Sequence, residues 1–437
     1  MTDFNINIAR QDIEVLPSAK SYSERLLSLI SQAKQRIYIT ALYLENDEAG
    51  REVLDALYQA KQQAPQLDIC LFVDAHRAQR GLIGQAVSLG NRQMYIDLAA
   101  KHQQQISIYG VAVKRKELLG VLHLKGMVFD DHVLYTGASI NNIYMHHKDK
   151  YRLDRYYQIH SAPLADTMVQ YLTDSFVKSG LAMVLNTPES LSIKQQKRIG
   201  RSTTIQVKKA RYIVDKASAN QGMQILPLIG CGKRNNQLNQ TICQLLKQSQ
   251  HQVIIFTPYF NLPRGLIKQV IAALKRGVKI TLVVGDKTAS DFFIKPDDTF
   301  SFIGVIPYIY EQILRRFVKR WQSYINQGQL SVKLWHDGDN SYHAKGVIVD
   351  ERYHLITGSN LNPRAWSLDL ENGLLIDDPE QSLLTTFNDE YQAILANTKP
   401  LMHYSQLESL KDYPIQPRKQ LRRLSLAKID RLLKRFL

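Results

Sequence analysis

Residues 123–130 read His-Leu-Lys-Gly-Met-Val-Phe-Asp, and residues 343–350 read His-Ala-Lys-Gly-Val-Ile-Val-Asp. Both octapeptides have the pattern His-x-Lys-x4-Asp, and each is followed by a glycine turn that leads to an asparagine, at 137–141 and at 358–362. Two histidines in matching settings indicate one active site with a nucleophile and an acid. The alternative is a pair of buried structural histidines, which the repeated glycine-asparagine tails disfavour.

The spacing within each motif is typical of a β-strand. Successive side chains of a strand point to opposite faces, so His123 and Lys125 should emerge side by side, as should His343 and Lys345. An apolar run follows each lysine. The sequence therefore predicts that each histidine and its lysine share one face of a strand.

The composition is that of a folded protein with room for two domains. The chain has 437 residues, 44% of them hydrophobic and 22% charged, which is enough for two full cores. Its three cysteines lack the spacing of a zinc site or a disulfide framework, and this favours a reducing cytoplasm. The sequence shows no secretory signal and no run of about 18 apolar residues, so we expect a protein that is neither secreted nor membrane-spanning.

The chain carries a large positive charge. It has 56 Lys and Arg residues against 40 Asp and Glu residues, a formal net charge of +16. Such an excess favours a polyanionic partner, either an anionic membrane surface or nucleic acid, including the ribosome. A merely well-solvated basic surface is the alternative.

The two halves share an order of elements as well as a motif. In each, a helical stretch leads into a buried strand, followed by a helix, two further apolar strands and the motif. Strands that alternate with helices predict an α/β sheet covered by helices on both faces. The paired strands are 36–44 and 252–260, 68–74 and 279–286, and 106–109 and 330–335. We predict a duplicated domain at 1–192 and 221–410, a basic linker or flexible loop at 193–220, and a basic tail at 411–437.

With its paired motifs, the chain resembles the phospholipase D superfamily over nearly its whole length. Within it, several stretches are similar to the Gram-negative type of CDP-diacylglycerol-serine O-phosphatidyltransferases: 74–81, 123–142, 149–152, 257–263, 285–289 and 360–366. The resemblance implies two pseudo-symmetric domains, each a mixed sheet flanked by helices, with the active site at their interface. It also implies phosphatidyl transfer from CDP-diacylglycerol to L-serine through a covalent phosphatidyl-histidine, with His123 as nucleophile and His343 as acid and base.

Several further residues suit this chemistry. Lys125 and Lys345 would supply positive charge to the nonbridging phosphate oxygens, and Asn141 and Asn362 neutral donors, so that no metal or other cofactor is expected. A catalytic histidine needs a carboxylate at its other ring nitrogen. Asp154 is predicted to serve His123 and Glu371 to serve His343, with a surface ion pair as the alternative for each. The motif aspartates, Asp130 and Asp350, are expected to anchor the fold.

Three arginines are candidates for binding the cytidine diphosphate. Arg77 and Arg80 follow a strand end, where ligands of α/β sheets bind, and Arg364 follows the second glycine turn. Ordinary surface charge is the alternative for each of them.

Two basic, apolar segments are candidates for membrane contact. In the tail, Ile429, Leu432, Leu433 and Phe436 form one helical stripe among basic residues. The insert 302–325 mixes aromatics with arginines, which suits a membrane interface. In each case packing against the protein is the alternative. The predicted contacts are Arg315, Arg316, Lys319, Trp321, Arg422, Arg423, Arg431 and Phe436. This predicts a cytoplasmic protein bound peripherally to the inner face of the cytoplasmic membrane.

Rival functions remain open at this point. Within the superfamily they are a phospholipase that uses water, a cardiolipin synthase-like transfer to another alcohol, and a nuclease. A polyanion-binding protein with a silent catalytic shell is the rival of another class, although the intact motifs argue against it. The sequence does not define an oligomeric state.

Overall fold

A computed structural model of the chain describes residues 6–79, 90–189, 191–214, 222–295 and 297–426. Six residues with predicted roles lie outside the described residues: Arg80, Ile429, Arg431, Leu432, Leu433 and Phe436. Within the described ranges, none of the helices combines the length and apolar character needed to cross a bilayer.

The described residues form two large mixed sheets and one two-stranded ribbon. The strands are β1 (Ile6–Asn7), β2 (Ile13–Leu16), β3 (Arg36–Thr40), β4 (Asp68–Asp74), β5 (Ser107–Val111), β6 (Met127–Phe129), β7 (His132–Thr136), β8 (Arg152–Leu153), β9 (Tyr156–His160), β10 (Ala182–Val184), β11 (Gln224–Cys231), β12 (Gln252–Thr257), β13 (Lys279–Gly285), β14 (Leu330–Trp335), β15 (Ser341–Tyr342), β16 (Gly346–Val349), β17 (Tyr353–Thr357), β18 (Leu370–Asp377) and β19 (Thr398–Pro400).

Helices cover the faces of the sheets. The α-helices are α1 (Ala19–Gln32), α2 (Glu48–Gln63), α3 (Ala75–Ala78), α4 (Arg92–Ala99), α5 (Ala162–Leu172), α6 (Ile193–Val207), α7 (Gln237–Gln248), α8 (Arg264–Lys275), α9 (Ile306–Arg320), α10 (Gln322–Asn326), α11 (Pro363–Ser367), α12 (Leu384–Leu395) and α13 (Ile415–Leu426). A π-helical turn (Thr173–Val177) follows α5, and 3-10 turns lie at Arg10–Asp12, Glu117–Leu119, Lys287–Ala289, Phe302–Val305 and Tyr404–Gln406.

The two large sheets repeat one strand order. The N-terminal sheet contains β5-β4-β3-β6-β7-β9, and the C-terminal sheet contains β14-β13-β12-β16-β17-β18. In the N-terminal sheet β3 pairs in parallel with β4 and antiparallel with the motif strand β6. In the C-terminal sheet β12 pairs in parallel with β13 and antiparallel with the motif strand β16. The central strands are apolar along their length because helices bury both of their faces. The predicted duplication of an α/β unit is confirmed.

The motif aspartates anchor the turns that lead into β3 and β12. The Asp130 carboxylate accepts hydrogen bonds from the backbone N–H groups of residues 34, 35 and 36, at 2.9, 2.8 and 3.0 Å. The Asp350 carboxylate accepts from residues 250, 251 and 252 in the same way. Both aspartates have a positive φ, of 52° and 54°. The structure thus confirms the predicted anchoring role.

The motif strands begin later than the sequence predicts. β6 starts at Met127 and β16 at Gly346, so His123, Lys125, His343 and Lys345 lie in the extended segments just before them. These segments bond to the opposite half of the molecule. His123 N donates to the carbonyl of Leu370 at 3.0 Å, and His343 N donates to the carbonyl of Leu153 at 2.8 Å. The backbone therefore joins the two halves at both histidines.

The predicted domain boundaries differ from the observed sheets in two places. β1 lies within the predicted N-terminal domain but pairs with β11 in the C-terminal sheet, where Ile6 is buried. The predicted basic linker begins with helix α6, because Ser192 and Gln195 form a capping box and Thr203 and Val207 are buried. Residues 193–207 are therefore not a flexible loop.

Much of the predicted membrane-binding insert belongs to the protein interior. On α9, Tyr308, Leu314, Phe317 and Val318 are buried, and Trp321 packs partly buried against the C-terminal core. Arg316, Lys319 and Arg320 remain exposed, and Arg315 is half-buried over the ring of Tyr404. The apolar residues of α9 thus follow the core-packing alternative, whereas Phe302 at the start of the insert is 56% exposed.

The first part of the predicted tail also packs on the protein. Leu421 and Leu424 of α13 are buried against Val305, Ile309 and Tyr413, which is the packing alternative for this stretch. The neighbouring Arg422 and Arg423 are exposed.

Candidate active site

Both motif histidines line one cavity between the halves of the molecule. Its volume is about 550 Å³, and it extends from the motifs to an apolar rim. The polar residues that line it are Tyr43, Arg77, Glu117, His123, Lys125, Ser139, Tyr144, Arg152, Tyr259, Asp291, Tyr310, His343, Asn360, Asn362, Arg364 and Asp369. The apolar residues include Leu42, Leu118, Val121, Phe292, Ile303 and Ile306.

Each histidine is held by a carboxylate from the other half. His123 Nδ1 lies 2.8 Å from Glu371 Oε2, and His343 Nδ1 lies 3.1 Å from Asp154 Oδ2. The predicted pairing, Asp154 with His123 and Glu371 with His343, is therefore wrong. The reason is the backbone pairing between the halves, because each histidine bonds to the residue that directly precedes its carboxylate. An Nδ1–H directed at a carboxylate leaves Nε2 with its lone pair toward the substrate.

The two carboxylates have different surroundings. Asp154 also accepts a hydrogen bond from Lys345 Nζ at 2.7 Å, and Lys345 Nζ contacts His343 Nδ1. The Tyr144 hydroxyl lies 3.0 Å from His343 Nδ1. By contrast, Glu371 Oε1 is buried with no hydrogen-bond partner in the part of the chain that the structure describes. Asp154 thus bonds to both Lys345 and His343, while Glu371 bonds to His123.

Burial lowers the pKa of both motif histidines and so favours their neutral forms. Desolvation, followed by the charges of Lys125 and Lys345, lowers the pKa of His123 well below its usual range. Desolvation and Lys345 lower the pKa of His343 to about 4, while Asp154 acts in the opposite direction. A neutral imidazole has the free lone pair that a nucleophile or a base requires.

Both motif lysines are buried, and burial lowers the pKa of each. Desolvation and the neighbouring Lys345 lower the pKa of Lys125 to about 7. Desolvation lowers the pKa of Lys345 to about 8, although Asp154 raises it. The pKa of Asp154 is lowered by Lys345 and His343 despite its burial, whereas burial and Asp369 raise the pKa of Glu371. A dianionic phosphate group in the cavity would stabilise the charged form of both lysines.

Glycines allow these buried groups to approach the backbone. A Cβ atom at Gly137 would lie 2.7 Å from Asp154 Oδ2 and 2.8 Å from Lys345 Nζ, and one at Gly358 would lie 2.4 Å from Lys125 Cγ. The first glycine of each turn is therefore required by the lysine and carboxylate of the site.

Replacing Gly137 with alanine should destabilise the protein by about 1–3 kcal/mol, because the new methyl group overpacks a buried ion pair. Denaturant unfolding measures this change. The matched control is Gly265→Ala in α8, where a Cβ meets nothing within 4 Å and stability should hold or rise slightly. Equal stability of the two variants would contradict the tight contact.

The structure places the two predicted asparagines differently. Asn362 lines the cavity, and its side-chain oxygen caps α11 by accepting from Ala365 N at 2.9 Å. The amide of Asn141 instead donates to Glu45 Oε2 at 2.8 Å. The other proton of that amide faces the Tyr43 hydroxyl at 3.4 Å, so a phosphate would compete with this longer contact.

The predicted arginines Arg77 and Arg364 both line the cavity. Arg77 Nε lies 2.8 Å from Glu117 Oε1, and Arg364 Nε lies 3.2 Å from Asp369 Oδ2. The buried Asp74 explains the position of the first, because its carboxylate accepts from Arg77 N at 3.0 Å. It also accepts from Leu122 N at 2.9 Å, next to His123.

Sequence reasoning missed a second group of residues on the cavity. Tyr144, Arg152, Tyr259 and Asp291 surround His343: the rings of Tyr144 and Tyr259 lie 5.4 and 6.4 Å from it. Arg152 lies two positions before Asp154 in the sequence, and Tyr259 lies two positions after the end of β12. Their positions next to a predicted site residue and next to a strand end were the features of the sequence that could have identified them.

Comparisons with known proteins show which family the chain resembles. The family model "Cardiolipin synthase, PLD-like domain" matches residues 26–174 and 242–397. The chain is 44% identical to the CDP-diacylglycerol-serine O-phosphatidyltransferase PssA of Escherichia coli K12, over 98% of this chain and 94% of the relative. It is also 44% identical to the CDP-diacylglycerol-serine O-phosphatidyltransferase of Haemophilus influenzae, over 98% and 95%.

A solved structure is similar over the full length. The crystal structure of phosphatidylserine synthase from Haemophilus influenzae Rd KW20 has a TM-score of 0.96 and 42% identity, and the match covers 100% of this chain and 98% of that one. The chain therefore belongs to the phospholipase D superfamily and, within it, to the family of bacterial CDP-diacylglycerol-serine O-phosphatidyltransferases.

Proposed function

We propose that the protein transfers a phosphatidyl group from CDP-diacylglycerol to L-serine, and so makes phosphatidylserine and CMP. The observation that carries this proposal is the pair of histidines on one cavity, each held at Nδ1 by a carboxylate of the opposite half. Relatives of that activity, 44% identical over nearly the whole chain, support the choice of substrates.

In the first half-reaction His123 Nε2 attacks the phosphorus of the phosphatidyl group. The P–N bond forms as the P–O bond to CMP breaks, and CMP leaves with the electron pair. The bound diphosphate raises the pKa of His343, so that His343 is protonated in the complex and gives this proton to CMP. The covalent phosphatidyl-histidine forms on His123 because its strongly lowered pKa keeps the imidazole unprotonated. His343 is suited to the role of general acid and base, because Asp154 stabilises its protonated form.

In the second half-reaction the serine hydroxyl attacks the same phosphorus. The new P–O bond forms, the electron pair of the P–N bond returns to His123 Nε2, and His343 takes the hydroxyl proton. Lys125 and Lys345 offset the phosphate charge in both steps, and Arg77 and Arg364 bind the diphosphate. We propose that the reaction needs no metal ion; full activity after dialysis against EDTA would support this, and loss that Mg²⁺ restores would contradict it.

The decisive experiment supplies CDP-diacylglycerol in mixed micelles with and without L-serine. We expect serine to stimulate CMP release and phosphatidylserine to be the product. Parallel reactions with water alone, glycerol 3-phosphate and phosphatidylglycerol test phospholipase and cardiolipin synthase-like activity. The proposal fails if CMP release is indifferent to serine and phosphatidic acid is the sole lipid product.

The buried lysines predict how activity depends on pH. A lysine is charged below its pKa, so the free enzyme loses the charge of Lys125 as the pH rises through about 7. We expect kcat/KM for CDP-diacylglycerol to decrease above that pH. In Lys125→Arg the position stays charged, so the decrease should move toward about 8, where Lys345 loses its proton. A profile that is flat from pH 6 to pH 9 would contradict this assignment.

We further propose that the mouth of the cavity faces an anionic membrane. Leu118 and Ile303 line the cavity, and the exposed fractions of Leu118, Leu119 and Phe302 are 63%, 45% and 56%. Residues 114–116 add three basic side chains beside the leucines. An apolar rim beside basic charge suits a lipid substrate whose acyl chains stay in the bilayer. The exposed Arg316 and Lys319 of α9, and Arg422 and Arg423 of α13, would add attraction.

Replacing Leu118 and Leu119 together with serine should weaken binding to vesicles of phosphatidylglycerol by about tenfold or more, because both side chains lose apolar burial. Flotation with vesicles measures it. The control is Val184→Ser on β10, which removes an apolar side chain that is 51% exposed. Equal loss in both variants would argue against docking at the cavity mouth.

A further inference from the structure

We propose that Arg152 and Asp291 form the acceptor subsite and select a zwitterionic amino acid, with the carboxylate of the acceptor on Arg152 and its ammonium group on Asp291. The inference rests on the proposed function and assigns the groups that choose the acceptor of that reaction. Both residues line the cavity that holds the two histidines.

The two halves bring these charges together beside His343. Arg152 belongs to β8, which pairs in parallel with β15, and β15 directly precedes His343. Asp291 follows the 3-10 turn Lys287–Ala289 of the C-terminal half. Their side chains are only 12% and 18% exposed, so both charges lie largely shielded from solvent at the cavity wall.

Neighbours other than each other hold the two groups in place. Arg152 Nε donates to Ser341 Oγ at 3.0 Å, and its guanidinium lies 4.8 Å from the centre of the Tyr144 ring. The Asp291 carboxylate accepts from the Tyr259 hydroxyl. Arg152 Nη1 and Asp291 Oδ2 are 3.6 Å apart, longer than the roughly 2.7–2.9 Å of a direct charge-assisted hydrogen bond. Two fixed and loosely paired opposite charges are complementary to a zwitterion.

The direction of the reaction places the acceptor on this side of the cavity. In an in-line displacement the entering and leaving groups lie on opposite sides of phosphorus. His123 occupies one side in the covalent intermediate, so the serine hydroxyl must enter from the other and give its proton to His343. Arg152 and Asp291 then lie within reach of the charged groups of that serine.

The other charge pairs of the cavity have shorter separations than Arg152 and Asp291. Arg77 and Glu117 are 2.8 Å apart, and Arg364 and Asp369 are 3.2 Å apart. The Arg364–Asp369 pair is tied to the segment that leads to His123, because Asp369 accepts a hydrogen bond from Val121 N at 3.0 Å. The Arg77–Glu117 pair therefore provides a matched control.

The test compares three acceptors with the full-length protein and CDP-diacylglycerol in mixed micelles. These are L-serine, 3-hydroxypropanoate, which lacks the ammonium group, and ethanolamine, which lacks the carboxylate. Asp291→Asn should lower kcat/KM for serine and ethanolamine by about ten- to a hundredfold, as expected for a lost charged hydrogen bond, and that for 3-hydroxypropanoate much less. Arg152→Gln should penalise serine and 3-hydroxypropanoate and spare ethanolamine, and Arg152→Lys should restore part of the carboxylate preference.

The outcomes distinguish a failure of the proposed acceptor subsite from a failure of the proposed function. Glu117→Gln should change the three acceptors alike. If the unmodified protein makes phosphatidylserine while Asp291→Asn keeps the acceptor ratios of the parent, the subsite is wrong and the function stands. If the unmodified protein transfers only to water, both are wrong. Should Arg152→Gln fail to fold by circular dichroism, the ratios of Asp291→Asn decide the question.

Discussion

The His343→Ala variant should release close to one equivalent of CMP per active site and then stop, whereas His123→Ala should release none. The departing group is a phosphate oxygen of CMP, whose conjugate acid has a pKa of about 6, so it leaves with little help from an acid. The serine hydroxyl is a far weaker acid and needs the base. Loss of His343 should therefore block the second half-reaction and leave the phosphatidyl group on His123.

Rapid-quench measurement of CMP, with acid-labile lipid bound to the protein as the second readout, tests this asymmetry. The two variants control for each other, because both remove an imidazole from the same cavity. A burst in His123→Ala and none in His343→Ala would reverse the assigned roles. Steady turnover in either variant would remove that histidine from the mechanism.

Changing Asp154 to asparagine should lower kcat by about a thousandfold or more, while changing Glu371 to glutamine should cost about ten- to a hundredfold. Asp154 bonds to both His343 and Lys345. Without its charge, the pKa of buried Lys345 falls further and the site loses a cation as well as an oriented base. Glu371 is bonded to His123 alone among the histidines and lysines of the two motifs, as the described residues show.

Steady-state kinetics at a fixed pH measures the two losses, and circular dichroism checks that both variants fold. The pH profile separates the two carboxylates: Asp154→Asn should move the loss of activity to a lower pH by more than Glu371→Gln does, because Asp154 raises the pKa of both lysines more than Glu371 does. Equal losses in the two variants, with unchanged profiles, would mean that Asp154 acts on His343 alone.

The fold could be predicted from local patterns. The apolar strands at 36–40, 68–74, 252–257 and 279–285 recur in matching order, and each sits in the centre of its sheet. The doubled motif predicted the two histidines that line the cavity. These features depend on residues close together in the sequence, where strand alternation and helix periodicity act.

The partners of the histidines could not be predicted in this way. Asp154 follows the first motif and Glu371 the second, so proximity in sequence favours pairing within a half. The observed pairing depends on parallel backbone contacts between the halves, Leu122 with Leu370 and β15 with β8. The hydrophobic periodicity of either half cannot predict a contact between the two halves. The same reason explains why Arg152 and Asp291 were missed, since they meet only across the interface.

The crossed carboxylates make each half of the molecule chemically incomplete. An isolated N-terminal half would contain His123 without Glu371, and an isolated C-terminal half would contain His343 without Asp154. Any motion that separates the halves must disconnect both histidines at once, because the two hydrogen bonds span the same interface. If His123 is the nucleophile as proposed, its orientation is tied to the assembly of the two halves, so a half-formed or opened molecule would lack an oriented nucleophile.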